Sequence, residues 1–118
     1  MTYREVYQLI SGIEMSQGVY IPAAYLQFPA DDPDNPAPPF ICYYYTGDDD
    51  LKADNINYQK IRQLTIELYC DNKDFTLEIA VEDALTSNGI VYTKMEAYIE
   101  DEKMYMTTYE TEVVITNG

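Results

Sequence analysis

Tyr43, Tyr44 and Tyr45 stand in a row directly after Cys42. On an extended strand successive side chains point to opposite faces, so at least one of the three must face away from a core. The chain has 13 Tyr. Tyr58, Tyr69, Tyr92, Tyr98, Tyr105 and Tyr109 occupy further strand-like runs. Cross-strand aromatic packing accounts for part of this excess. The rest reads as contact surface, because Tyr buries a large area at low entropic cost and offers a hydroxyl.

The charged residues are the other chemically able group. The chain has 21 Asp and Glu against 7 Lys and Arg, a net charge of −14, and no His. Without His there is no Ser–His or Cys–His pair and no imidazole metal ligand. A charge of −14 also repels a phosphate backbone, which disfavours counterion-release binding of nucleic acid. The acidic stretches 31–35 and 48–54 do not match a hand-shaped calcium loop. Asp31–Pro36 has Pro at its third and sixth positions, and Asp48–Ala53 lacks the required Gly and closing Glu. Asp71-Asn72-Lys73 and Asp101-Glu102-Lys103 match the acid-x-Lys spacing of metal-dependent nucleases, but helix-start and turn roles explain both. No pair among the carboxylates stands out as a glycosidase pair. Two Cys make neither a disulfide framework nor a four-thiolate site. Cys42 and Cys70 fall on expected apolar strand faces as free thiols in a reducing cytosol. The sequence therefore assigns no catalytic residue, no cofactor and no metal.

These residues must be held by a small set of elements. Thr2 and Glu5 match a capping box. Val6, Leu9, Ile10 and Ile13 follow at helical spacing, so 3–13 reads as an amphipathic helix ended near Gly12 and Gly18. Residues 24–28 read as a short edge strand after Pro22. Residues 29–39 contain every proline except Pro22, with Asp31, Asp32 and Asp34, and read as a stiff loop. Residues 40–46 and 58–70 read as strands, separated by an acidic loop at 47–57. In the second strand Leu64, Ile66, Leu68 and Cys70 share one face. Asp71 or Asn72 is the expected cap of a helix with Leu77, Val81, Ala84 and Leu85 as its stripe and Gly89 just past its end. Residues 90–100 and 103–116 read as a hairpin, with Tyr105, Tyr109, Val113 and Ile115 on one face.

The expected fold class is α+β: a mostly antiparallel sheet of four to five strands with two helices on one face. At 118 residues the chain makes one domain, 1–118. Surface scaling gives about 6,600 Å² folded against about 19,700 Å² unfolded, enough burial for one core. Hydrophobic content of 47% is too high for a disordered acidic tail. No apolar run approaches a membrane span, and the first residues do not read as a signal peptide.

Four stretches, TYREVYQLI, PPFICYYYTGDDDLKADNINYQKI, QLTIELYCDNKDFTLEIAVEDAL and YIEDEKMYMTTYETEVVI, together resemble a small protein of long-tailed phages and prophages of Gram-positive bacteria. Its relatives are similar to the tail-terminator, or tail-completion, proteins of the neck. The resemblance covers nearly the whole chain and lies in overall text and element order. It implies an α+β fold, a hexameric ring, and a structural role in virion assembly. Such a ring caps the major tail-tube protein and meets a head-completion or connector protein. It implies a place in the virion neck, and in host cytoplasm before assembly, with no membrane and no specific nucleic acid as partner. On this reading the interface residues are Tyr43, Tyr45, Asp48, Asp49, Asp50, Tyr105 and Tyr109. Two other roles fit the size and charge: another head–tail connector or minor capsid component, and an acidic inhibitor that mimics DNA.

Overall fold

The computed structural model describes residues 1–48, 51–53 and 56–116. Thr2 accepts from the Glu5 backbone at 3.1 Å and Glu5 accepts from the Thr2 backbone at 2.9 Å, so the capping box forms. It starts α1, Tyr3–Ser11, which buries Val6 and Ile10. Two short strands, β1 (Glu14–Ser16) and β2 (Val19–Tyr20), then form a ribbon not anticipated from the sequence. Its turn uses Gly18 at φ 77°, a conformation other residues reach only with strain.

The main sheet follows. It contains β3 (Ala23–Tyr25), β4 (Phe40–Asp48), β6 (Ile56–Cys70), β8 (Met104–Ile115) and β7 (Tyr92–Ile99) in that spatial order, with β5 (Leu51–Ala53) paired to β6. The expected acidic loop at 47–57 is thus largely sheet: β4 runs through Asp48, β5 occupies 51–53, and β6 starts at Ile56. The sheet is also mixed, because β3 runs parallel to β4. A parallel neighbour needs a crossover of about a dozen residues. The Pro-rich segment between β3 and β4 supplies that length. β3 stops at Tyr25 because Leu26 takes a left-handed conformation, φ 68°.

The second helix, α2 (Phe75–Ser87), is capped by Asp74 and not by Asp71 or Asn72. Asp74 is extended and accepts from the Leu77 backbone at 3.1 Å. Asp71 instead accepts from the Asn72 backbone, closing the turn before it. Gly89 sits past the helix end at φ 69°, as expected.

Both helices lie on one face of the sheet. The core there joins Val6 and Ile10 of α1, Leu77, Val81 and Leu85 of α2, and Ile41, Tyr43, Leu64, Ile66, Leu68, Cys70, Tyr109, Val113 and Ile115 of the sheet. Register explains this face: Tyr43 pairs with Ile66, which pairs with Tyr109. The molecule is elongated, about 50 × 30 × 25 Å, and exposes 7547 Å², more than its mass implies for a compact body.

Candidate functional site: an aromatic edge

α1, β3 and β4 meet at one end of the sheet and bring tyrosines together from three separate segments. Tyr25 and Tyr43 are direct neighbours in the parallel ladder, with ring centres 5.4 Å apart and nearly perpendicular. Tyr25 also lies 6.0 Å from Tyr45, and its hydroxyl accepts from the Tyr45 backbone at 3.3 Å. Tyr3 of α1 packs edge-on against Tyr45 at 5.2 Å. Its hydroxyl accepts from Arg62 Nε at 3.2 Å, and the same nitrogen lies 3.2 Å from Asp48 Oδ1. Tyr7 lies one helical turn on from Tyr3, on the same face of α1. Burial raises the Tyr43 hydroxyl above its ordinary range, and Tyr7 adds to that rise.

Tyr43 and Tyr45 form the floor of this cluster. Its outer layer is Tyr3 (49% exposed), Tyr7 (53%), Tyr25 (52%) and Leu26 (56%). Burial, then the neighbouring Tyr43 and Tyr3 rings, pushes the Tyr45 hydroxyl up to about 12, so it stays neutral. On a chain of −14 this edge is a neutral aromatic surface. Offset and edge-on ring pairs lose little entropy when a partner covers them, because they already hold each other in place.

The sequence pointed to Tyr43 and Tyr45, which lie in the floor, and not to Tyr3, Tyr7 or Tyr25 of the outer layer. Tyr3 and Tyr7 stand four residues apart, a spacing that puts both on one helix face, and that signal was available. Other expected interface residues are placed differently. Tyr109 is completely buried, and its hydroxyl donates to Glu82 Oε2 at 2.8 Å. Tyr43 is 7% exposed. Both are core residues in this chain, because their faces carry the two helices. Tyr105 is half-buried against Tyr98, ring centres 4.9 Å apart, far along the sheet beside β7. Asp48 is exposed. Asp49, Asp50 and the side chain of Tyr58 lie outside the described residues.

A second cluster joins α2 to β7 and β8. Glu78, 3% exposed, sits between Lys73 (2.5 Å) and Lys94 (2.8 Å). The Lys94 contact is an ion pair without hydrogen-bond alignment at Glu78 Oε1. Lys94 also reaches Glu82 at 2.8 Å, and Lys73 reaches Glu96. Contacts with Glu78 and Glu82 hold the Lys94 ammonium above its ordinary range. Burial opposes the charge of Lys73, yet Glu78 and Glu96 outweigh it and raise Lys73 as well. Glu82 is held low, because Lys94 and Tyr109 outweigh its burial. Each of these three groups keeps its charge at neutral pH and is poorly suited to moving protons there.

The two thiols are no better placed for chemistry. Burial, then Glu67, pushes Cys42 up to about 11, and burial, then Asp74 and Glu78, does the same for Cys70. A protonated thiol is a weak nucleophile. Cys70 lies on the core face as expected, whereas Cys42 points to the opposite face, in the row of Glu67. There Glu67 accepts from both Tyr44 and Tyr69 at 2.9 Å. That face also bears a broad hollow of about 720 Å³, lined by Thr46, Gln63, Thr65, Thr93, Glu110 and Glu112. Its lining includes neither a cation nor a thiol. Among the described residues no group of three or more potential metal ligands is gathered, and no helix is long and apolar enough to cross a membrane.

Neither a protein-family model nor a curated protein matches the chain.

Proposed function

We propose that the chain is a structural subunit of virion assembly, a tail terminator that forms a hexameric ring in the neck. The ring caps the major tail-tube protein and offers its other face to a head-completion or connector protein. The observation that carries this reading is the aromatic edge of Tyr3, Tyr7, Tyr25 and Leu26 over Tyr43 and Tyr45. A cyclic ring needs head-to-tail contacts between two different patches, and a neutral aromatic surface on a strongly acidic body is suited to be one of them. The acidic stretch around Asp48 suits a channel through which DNA must slide without sticking. The role is non-enzymatic and needs no cofactor, and its setting is the virion, with host cytoplasm before assembly.

The DNA-mimic reading is weaker. It needs a double row of free carboxylates, whereas Glu67 is bonded to two tyrosines and Glu78, Glu82 and Glu96 are paired with Lys73 and Lys94. Light scattering at several concentrations, with polymerising tail-tube protein added, tests the proposal. The expected result is arrested tubes carrying a ring at one end. A strict monomer that leaves tube growth unchanged would sink it.

A further inference from the structure

β7 ends the sheet, and among the described residues no strand pairs with its outer side. Free edges are normally blunted by proline, bulges, short length or charged side chains, lysine above all. The opposite edge is blunted in this way: β3 has three residues, follows Pro22, and is closed by left-handed Leu26. Of these devices β7 carries only the charges of Lys94 and Glu96, which are opposite in sign. It runs eight residues without Pro, pairs with β8 without a register shift, and exposes Thr93 through Tyr98.

Its sequence is also nearly self-complementary. Reading outward from Met95, Lys94 mirrors Glu96, Thr93 mirrors Ala97, and Tyr92 mirrors Tyr98. We infer that β7 pairs antiparallel with β7 of a second copy, centred on Met95, and joins two sheets across a two-fold axis. In this register Lys94 of each copy stands opposite Glu96 of the other, and Tyr92 opposite Tyr98. These four side chains share the helix-bearing face, because Lys94 pairs in register with Tyr109 of β8. Met95 meets Met95 on the other face. Opposite charges directly across a ladder stabilise it and like charges destabilise it. Sliding by one step in either direction sets Lys94 against Lys94 or Glu96 against Glu96, so charge selects the one register. Lys94 has three donors and Glu96 remains 45% exposed, so both have capacity for a partner. Exposed Met95, Tyr98, Phe75 and Ile79 lie on β7 or on α2, which β7 meets through Lys94 and Glu78, and would extend the buried area.

A two-fold pair turns its copies in opposite directions, so it cannot persist in a ring whose two faces meet different partners. The pairing therefore goes beyond the ring proposal and stands apart from it. A chain that dimerises through β7 and caps no tube overturns only the ring.

Sedimentation of the full chain across a concentration series tests the pairing. The expected mass rises from 13.6 kDa to twice that value. Met95→Lys places two ammonium groups against each other at the axis, and is expected to weaken the dimer by about tenfold or more. Met95→Cys should cross-link to itself on mild oxidation, whereas Thr93→Cys, opposite Ala97, should not. The native thiols are buried and contribute little background. A monomer at every concentration, a dimer indifferent to Met95→Lys, or equal cross-linking at 93 and 95 would each overturn the inference.

Discussion

The two ends of the sheet use tyrosine in opposite ways. Beside β7, Tyr109 is sealed under α2 and spends its hydroxyl on Glu82, and Tyr92 reaches the same carboxylate at 3.4 Å. Beside β3, Tyr3 and Tyr25 are half exposed, and their hydroxyls accept from Arg62 and a backbone amide. The difference follows from what lies overhead. α2 crosses the β7 side with Glu78 and Glu82 pointing down, so the tyrosine beneath it must satisfy a buried hydroxyl. On the β3 side α1 presents Tyr3 and Tyr7 themselves, and the aromatic layer continues out to solvent. A surplus of one residue type thus builds a core at one end and an exposed aromatic layer at the other.

The sharpest way to separate these roles is to remove a ring from each end. Tyr109→Ala should cost about 3–5 kcal/mol of folding stability, the usual loss for a fully buried aromatic, as read from urea denaturation. Next in size is the charge beneath α2. Glu78→Gln leaves Lys73 and Lys94 facing a neutral amide. Breaking one partner of a buried ion pair costs about 3–5 kcal/mol, and here both lysines reach water, so about 2 kcal/mol is expected. If Glu78→Gln were neutral, the network would be an ornament of the surface and the two ends would differ less than their geometry indicates.

The same end should respond to pH. The folded value of Glu82 is depressed below its ordinary 4.5, so its contribution is present above that value and is lost as pH falls through the acid range. Lys94 and Tyr109 have raised folded values, Lys94 through Glu78 and Glu82, and Tyr109 through burial and then Glu82. Their contributions are present below the ordinary values of 10.5 and 10.0 and are lost as pH rises beyond them. Stability should therefore form a plateau across neutral pH with a fall on both sides. Glu82→Gln should lower the plateau by about 1 kcal/mol and flatten both shoulders, a change that urea midpoints at a series of pH values would read.

What could be seen in the sequence was what local rules control. The Thr2–Glu5 box, the alternation in β6 and β8 and the Gly89 stop depend on residues a few positions apart. Three results depend on chain segments that meet only on folding. The parallel placement of β3 is set by the long crossover, and Pro22 made only its edge position legible. The Asp74 cap had two competitors within three residues, and the turn made by Asp71 decided between them. Glu78 occupies an otherwise apolar stripe, and its burial follows from lysines supplied by two other segments. The aromatic edge shows the same division. Tyr43, expected at an interface, is instead a core residue, and its meeting with Tyr25 depends on how β3 returns to it.

The smallest expected effect on stability falls on that edge, and it is the one that bears on function. Tyr7→Ser and Tyr25→Ser both act on rings about half exposed, so each should shift the unfolding midpoint little, within about 0.5 kcal/mol for Tyr7. Tyr25→Ser should cost more, about 1 kcal/mol, because it also loses its contacts with Tyr43 and Tyr45. Both variants should nonetheless impair assembly on tail-tube protein, since a buried tyrosine at the centre of an interface commonly contributes about 2 kcal/mol or more to binding. The informative readout is the ratio of the two losses. A folded Tyr7→Ser chain that no longer arrests tubes would mark the edge as a contact surface. A Tyr7→Ser chain that caps normally would show that the aromatic layer beside β3, like Tyr109 beneath α2, serves the fold alone.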